Sequence, residues 1–192
     1  TDQIETATTP GSPGGMARFD FSCRDQPLPA RASDALSLTG FTNDSYSGGP
    51  LAGVAVDLLA ADGNGLLSTT WSDDSGRLGF DIATGSQPVR TFARMSAPDH
   101  VTSYLYPSHP LISDEENVFF PVLPPAWRDE LAGYAGVTLD PTRGIVGVIV
   151  TDCSGERVEG ATVTFDPPAE AVAYWDPTFT DASGTTTSIN GH

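Results

Sequence analysis

The sequence contains no lysine, and its nine basic residues, all arginine, face 25 aspartates and glutamates. The formal net charge at pH 7 is therefore −16. Without lysine the chain has neither a Schiff-base amine nor a Walker-type phosphate loop. An acidic chain of this kind is repelled by nucleic acid and by anionic membrane surfaces. No nucleic-acid partner is expected, and the lack of a long apolar run predicts no transmembrane segment.

Motifs for catalysis are missing as well. The sequence has no G-x-S-x-G nucleophile elbow, no H-x-x-E zinc motif and no EF-hand spacing. Its two cysteines, Cys23 and Cys153, lack the spacing of a metal site and have no histidine beside them in sequence. We therefore predict a protein that is not an enzyme, with no catalytic residue and no cofactor.

What the sequence does contain is a repeat. The stretch GVIVTDCSGERVEGATV from Gly147 to Val163 has an earlier counterpart from Gly40 to Val56. One constant offset relates four pairs, and SDDSG at 72–76 matches TDASG at 180–184 with one residue more. Two glycine-punctuated motifs whose offsets differ by a single inserted residue indicate a duplicated unit. The four pairs are Gly40 with Gly147, Gly48 with Gly155, Gly53 with Gly160, and Val56 with Val163.

Each copy is typical of a strand, a tight turn and a second strand. The run from Ile145 to Val150 is apolar and rich in β-branched residues, which suits a strand covered on both faces. TDCSG supplies turn residues, and Gly155 can take the positive φ that such a turn requires. Gly53 and Gly160 interrupt strand patterns, which indicates a bulge or a close backbone approach.

These residues resemble the carboxypeptidase regulatory-like family, whose members are transthyretin-like (prealbumin-like) β-sandwiches. GGPLAGVAV and SDDSGRLGF carry the likeness in 40–80, and SGERVEGATV and TDASG carry it in 147–184. The DCSG form is also similar to envelope lipoproteins of the myxobacterial type. The resemblance implies an all-β fold of two tandem transthyretin-like sandwiches, joined by a connector with one short α-helix.

The chain divides accordingly into five segments. Residues 1–15 form a Thr/Pro/Gly/Ser tract, typical of a flexible tether. Residues 16–31 contain an alternating strand pattern from Met16 to Cys23. The first sandwich is predicted over 32–106, the connector over 107–143 and the second sandwich over 144–192.

The connector contains one convincing helix, predicted near 125–135. Proline stands at its start and Gly136 just past its end. Trp127, Leu131 and Tyr134 form one apolar stripe, which we expect to pack on a sandwich and to fix the angle between the two domains. The alternative is a helix that binds a partner protein.

The second sandwich looks truncated, because only eight residues follow Gly184. Three explanations remain open: the chain continues past His192, a loop covers the edge, or the segment 16–23 supplies a missing strand. The third would place Cys23 beside Cys153 and permit a disulfide in an exported protein. The alternatives are free thiols or thiols paired elsewhere.

Iron, calcium and sugars are the three ligand classes for which this sequence contains candidate residues. Ferric iron is bound by two tyrosines and two histidines in intradiol dioxygenases, which share a related sandwich. The four matching side chains crowd into one short stretch here, so no iron site is predicted. Calcium would find its best oxygens at Asp62 and Asn64, and sugars could stack on exposed aromatic rings. The iron candidates are His100, Tyr104, Tyr106 and His109; the sugar candidates are Tyr46, Trp71, Tyr174 and Trp175.

The best overall reading is a non-enzymatic, exported module of the cell envelope that is structural or binds other proteins, as an accessory subunit of a larger assembly. A start without methionine fits a processed protein of the periplasm, the outer-membrane surface or the extracellular space. The first alternative is a carbohydrate-binding module, and the second is a metal-dependent enzyme on a transthyretin-like sandwich.

Overall fold

The structure, a computed structural model, describes residues 19–24, 26–62, 65–140, 142–178 and 181–188. These residues form two sheets and a single short helix, which confirms the predicted all-β class. The chain separates into two compact units. We call residues 28–128 the sandwich unit, and residues 1–27 together with 129–192 the terminal unit.

The sandwich unit contains seven strands in two sheets. One sheet has three strands in the order β4-β1-β7, and the other has four in the order β3-β2-β5-β6. Neighbours are antiparallel throughout, except that β1 and β7 run parallel. The strands are β1 (Ala35–Asp44), β2 (Ala55–Ala60), β3 (Leu66–Trp71), β4 (Arg77–Ala83), β5 (Thr91–Ser96), β6 (Ser103–Leu105) and β7 (Glu115–Val122).

Alternation along the strands builds the core of this unit. In β4 every second residue is buried, and β1 and β5 follow the same rule. The buried side chains of both sheets face one another, so each sheet covers the apolar face of the other. The largest fully buried side chains are Phe120, Met95, Val54, Val56 and Val122.

The sandwich extends beyond residue 106, where the sequence pattern placed its end. Strand β7 lies in the segment expected to be a connector, and it pairs with β1 from Leu38 to Asp44. Phe120 and Val122 are 1% and 0% exposed, so this strand adds two fully buried side chains to the core of the sandwich unit. The parallel partner of β1 comes from far along the chain, which local pattern cannot reveal.

Gly40 marks the tightest approach in this pairing. A Cβ at this position would lie 2.2 Å from the carbonyl oxygen of Val118 and 2.7 Å from the ring of Phe120. The register of the β1–β7 pair also shifts between Leu38 and Gly40. A residue without a side chain is therefore required where β7 crosses close to β1.

The predicted helix is present as α1 (Pro125–Tyr134). Proline occupies its first position, where no N–H is needed. Gly136 follows its end at φ 69°. The N–H of Gly136 donates to the carbonyl of Gly133, and that of Val137 donates to Ala132. These two bonds form a Schellman cap that satisfies the last carbonyls of the helix.

The described part of the terminal unit contains single β-bridges rather than extended strands. Thr151 pairs with Arg157, and Tyr174 pairs with Ser183 and Gly184. Residues 144–178 and 181–188 therefore do not display the second sandwich that the repeat predicts, and 189–192 lie outside the described residues. In the segment 16–23, which was expected to be a strand, the described residues 19–23 form no strand and lead into a turn in which Arg24 N–H donates to Phe21 O. Residues 1–18, which include the predicted tether, also lie outside the described part.

Candidate functional site

The terminal unit is held together by a disulfide between Cys23 and Cys153, as predicted. The Cα atoms of the two residues are 5.7 Å apart, within the usual range for a disulfide. Asp20 adds two hydrogen bonds beside it: its N–H donates to Asp152 Oδ2, and its carbonyl accepts from Cys153 N–H at 2.7 Å. The N-terminal segment thus docks on the DCSG turn through a covalent bond and backbone contacts, not as a sheet strand.

The DCSG turn has the same internal geometry as the DDSG turn of the sandwich unit. In each, one aspartate Oδ1 accepts hydrogen bonds from the serine N–H and Oγ, and from the N–H two residues further on. The glycine N–H donates to the aspartate carbonyl and takes φ 76° or 85°. The Ser75 hydroxyl and the Arg77 N–H hold the pKa of Asp73 below its usual value, and the Asp20 N–H and the Ser154 hydroxyl do the same for the pKa of Asp152. Each turn therefore keeps its carboxylate ionised as part of the local structure.

A second pattern that occurs in both units centres on a buried hydroxyl. Ser72 Oγ accepts from Val54 N–H at 3.0 Å and donates to Leu51 O at 2.7 Å. Thr187 Oγ1 accepts from Ala161 N–H at 2.9 Å and donates to Val158 O at 2.6 Å. The partners correspond in sequence: Val54 matches Ala161 and Leu51 matches Val158, at the offset that relates Gly53 to Gly160.

The glycines of the repeat join the same pattern. Gly53 N–H donates to Ser72 O and Gly160 N–H donates to Thr187 O, with φ 69° and 82° at the two glycines. Sequence matching paired Ser72 with Thr180, which lies outside the described residues, whereas the structure gives the equivalent bonds to Thr187. Four consecutive hydroxyl residues, 185–188, offered no signal to choose among them.

Removal of either hydroxyl should destabilise its own unit. Ser72 is 6% exposed and Thr187 is 3% exposed, so water has little access to either site. Ser72→Ala leaves the Val54 N–H without its acceptor, and Thr187→Val removes the acceptor of the Ala161 N–H and the donor to the Val158 carbonyl. We expect each change to lower the free energy of unfolding by about 1–3 kcal/mol. Urea titration measures it. Ser75→Ala, which removes only an exposed hydroxyl, is the control and should cost under about 1 kcal/mol. Losses no larger than that of the control would contradict the role of the two buried hydroxyls.

The helix stripe makes separate aromatic contacts at its two ends. The ring of Trp127 lies 5.5 Å from that of Tyr46, and the ring of Tyr134 meets Trp175 edge-on at 5.4 Å. Leu131 is half-buried, while the fully buried residue of the helix is Ala132, which lies beside the predicted stripe. A role of Trp127, Leu131 and Tyr134 in fixing the domains or in binding a partner stays a prediction.

The apolar run at 145–150, expected to be a covered strand, is open to solvent. Ile145 is 48% exposed, Val146 70% and Ile149 56%. Among the described residues, none donates a backbone hydrogen bond to 145–149 or accepts one from it; the first backbone bond of this segment joins Val158 N–H to Val150 O. We call residues 145–150 the apolar run. Its composition predicts a strand, but these residues form no strand.

A second notable surface is the outward side of the four-stranded sheet, which we call the outer face. One row of paired residues crosses all four strands there: Thr69, Asp57, Arg94 and Tyr104. Arg94 donates from Nε and Nη2 to Asp57 Oδ2, and Thr69 donates to Asp57 Oδ1 at 2.7 Å. The guanidinium of Arg94 and the Thr69 hydroxyl hold the pKa of Asp57 below its usual value.

Aromatic rings stand beside this row. Phe92 in β5 stacks with Tyr106 at 5.1 Å and lies 6.2 Å from Tyr104. Tyr104 is 52% exposed and Tyr106 is 69% exposed, so neither serves the core. Sequence reasoning singled out both tyrosines as iron candidates and missed Phe92. The available signal was that Phe92 and Arg94 occupy alternate positions of one strand and so share its outward side.

The predicted sugar candidates have different surroundings. Trp71 is 63% exposed at the end of β3. Tyr46 lies against Trp127, and Trp175 lies against Tyr134. The Tyr174 hydroxyl accepts from Val163 N–H at 2.7 Å, which is a structural role. Tyr46 and Trp71 belong to the sandwich unit, and Tyr174 and Trp175 belong to the terminal unit.

The iron candidates do not converge either. His100 bonds through Nδ1 to Pro98 O and through Nε2 to Asp44 Oδ2, and these acceptors hold its pKa above the usual value. His109 bonds to Pro110 O, while the two tyrosines contact Phe92. Within the part of the chain that the structure describes, no group of three or more histidines, cysteines or carboxylates could hold a metal.

Only one of the two calcium candidates lies among the described residues. Asp62 lines a shallow, open depression that Arg90 also lines, whereas Asn64 lies outside the described residues. A calcium site at these two residues stays a prediction. No helix among the described residues is long and apolar enough to cross a membrane.

No family model matches this chain, and no curated protein matches it. Solved structures do show similarity. One is described as a putative carbohydrate binding protein from Bacteroides uniformis ATCC 8492, with 14% identity and a TM-score of 0.36. The match covers 46% of this chain and 41% of that protein, so this chain spans less than half its length.

Two dioxygenases are similar to the same degree. The 3-chlorocatechol 1,2-dioxygenase of Rhodococcus opacus 1CP shares 18% identity at a TM-score of 0.34, with 62% of this chain and 72% of that protein covered. The dioxygenase domain of a dioxygenase–carbohydrate-binding fusion from Streptomyces sp. SirexAA-E shares 16% identity at 0.33, covering 63% and 96%. Scores this low assign no function to this chain.

Proposed function

We propose that this protein is a non-enzymatic, exported module of the cell envelope that binds another protein as an accessory subunit of a larger assembly. The apolar run of the terminal unit carries the proposal. The Cys23–Cys153 disulfide supports the location, because disulfides persist in oxidising compartments such as the periplasm, the outer-membrane surface or the extracellular space.

The apolar run has the properties of a strand that another chain completes. Its six residues, IVGVIV, are β-branched or glycine and uncharged. Residues 145–149 lie exposed without backbone partners among the described residues, and Val150, which accepts from Val158 N–H, is half-buried. Exposed strand-forming segments of this kind pair readily with an added strand. In β-strand addition, main-chain hydrogen bonds supply the affinity and alternate side chains fill pockets of the partner. A partner strand would remove Ile145, Val146 and Ile149 from water.

The repeat explains why such a run exists. We propose that the terminal unit is a second copy of the transthyretin-like sandwich unit. The matched bonds of Ser72 and Thr187, together with the positive φ of Gly53 and Gly160, support the duplication. In this copy the apolar run is the equivalent of β1, and it has no covering strand among the described residues.

Site-specific photocrosslinking in the cell envelope tests the protein partner. A photoreactive residue at Val146 should give one discrete adduct with a second protein, whereas the same residue at Val172 should not. Val172 is the matched control, because it belongs to the same unit and is 47% exposed. Val148→Pro removes a donor from the run and should abolish the Val146 adduct, whereas Val172→Pro should preserve it.

Hydrogen exchange separates the alternatives. The amides of 145–149 should exchange quickly in the isolated protein and slowly in the crosslinked complex. An adduct whose mass is twice that of the chain would show a second copy instead of a different protein. Slow exchange of these amides in the isolated monomer would contradict the proposal, because the run would then be paired within its own chain.

A further inference from the structure

The outer face of the sandwich unit is a second surface with exposed aromatic rings, and it belongs to a different unit from the apolar run. Its side chains come from strands whose alternate residues fill the core, so Phe92, Arg94 and Tyr104 must point away from that core. The stacked pair of Phe92 and Tyr106, with Tyr104 beside it, presents ring surface to solvent. Aromatic side chains in water cost free energy that a folded protein recovers by covering them.

The polar groups next to these rings are fixed before any ligand arrives. Arg94 is tied to Asp57 through two donors, and Asp57 is tied to Thr69, so the side chains of three adjacent strands hold one another. The Arg94 side chain nevertheless remains 44% exposed, and a guanidinium has five N–H donors, of which Asp57 takes two. The row spans three interstrand spacings, about 14 Å.

Charge narrows the ligand class. Within the row, Arg94 and Asp57 neutralise each other, and the other members are the hydroxyls of Thr69 and Tyr104. The chain as a whole carries −16, so anionic polymers are repelled. What remains is a neutral molecule that has flat apolar faces for the rings and many hydroxyls for fixed donors and acceptors. A pyranose sugar has both.

We propose that the outer face binds a neutral polysaccharide, with Tyr104 and Tyr106 stacking on sugar rings and Arg94 hydrogen-bonding to hydroxyls. This goes beyond the protein-binding function and uses a different unit of the chain. It also relocates the sugar site that the sequence suggested: of the earlier candidates Trp71 alone lies in the sheet that carries this face, and it stands at the far edge from β6.

Affinity electrophoresis and titration calorimetry test the site on the full chain. The probes are four neutral polysaccharides, an α-glucan, a β-glucan, a mannan and a xylan, with hyaluronan as the anionic comparison. At least one neutral polymer should retard the protein, and hyaluronan should not. Tyr104→Ala and Tyr106→Ala should each weaken binding about 5- to 10-fold, as expected for one stacking ring. Arg94→Gln should weaken it as well.

Tyr46→Ala is the matched control, because Tyr46 is 67% exposed in the same unit but lies away from the outer face against Trp127. It should bind as the unchanged protein does. Far-ultraviolet circular dichroism checks that every variant is folded. No binding to any of the four polymers, or equal binding by Tyr104→Ala, Tyr106→Ala and Tyr46→Ala, would overturn the proposal. A protein adduct trapped by a photoreactive residue at Tyr106 would likewise assign the outer face to a protein partner.

Discussion

The Gly40→Ala variant should unfold at much lower urea concentration than the unchanged protein. The added methyl group would meet the carbonyl oxygen of Val118 at 2.2 Å and the Phe120 ring at 2.7 Å. A carbonyl in a paired strand cannot move aside without loss of the β1–β7 ladder. We expect a loss of about 3 kcal/mol or more in the free energy of unfolding of the sandwich unit, the upper range for overpacking.

Gly147→Ala is the control for that experiment, because the repeat equates the two glycines. A Cβ at Gly147 would meet no atom within 4 Å, and its φ is not positive. We expect a change within about 0.5 kcal/mol. Circular dichroism against urea measures both variants. A mild effect at Gly40 would show that β7 does not lie against β1 at this point.

Loss of the Cys23–Cys153 bond should destabilise the terminal unit selectively. The two cysteines are separated by 130 residues, and the bond joins the two chain segments that form this unit. Replacement of both by serine, or reduction, should lower the free energy of unfolding of the terminal unit by about 2–4 kcal/mol. The sandwich unit contains neither cysteine, so its stability should stay unchanged.

Tryptophan fluorescence can report on each unit separately. Trp175 lies in the terminal unit, whereas Trp71 and Trp127 lie in the sandwich unit. In a Trp71→Phe, Trp127→Phe background, Trp175 should show the shift in urea midpoint on addition of reductant. The double serine variant should not respond to reductant at all. In a Trp127→Phe, Trp175→Phe background, Trp71 reports on the sandwich unit and should show no shift. An equal shift in the two backgrounds would contradict the expected selectivity.

Much of the sandwich unit could be predicted from sequence, because the patterns that define its strands lie within short stretches of the chain. Alternation at Leu78, Phe80 and Ile82 defines β4 without reference to the rest of the chain. Proline and glycine at the ends of α1 define the helix in the same way. The Cys23–Cys153 disulfide was one of the alternatives that the sequence left open. It is present, although the described part of 16–23 does not supply the sheet strand from which it was inferred.

What sequence could not supply depends on contacts between distant residues. The end of the sandwich was placed at 106, because nothing within β7 shows that its partner is β1. The apolar run was expected to be covered, because β-branched composition predicts a strand and not the strand's neighbours. On the outer face, Tyr104 and Tyr106 were interpreted as metal candidates by residue type. Their stacking with Phe92 depends on the β5–β6 pairing.

The parallel pairing of β1 and β7 also determines when the sandwich unit can fold during synthesis. Ser37 N–H donates to Asp114, 77 residues later, at the point where β7 joins the first strand. During synthesis, β1 emerges early and must wait with one edge open until Glu115–Val122 has left the ribosome. Non-local pairing of this kind slows folding and prolongs exposure to aggregation. A nascent chain stalled after Tyr106 would therefore be a substrate for chaperones rather than a finished domain.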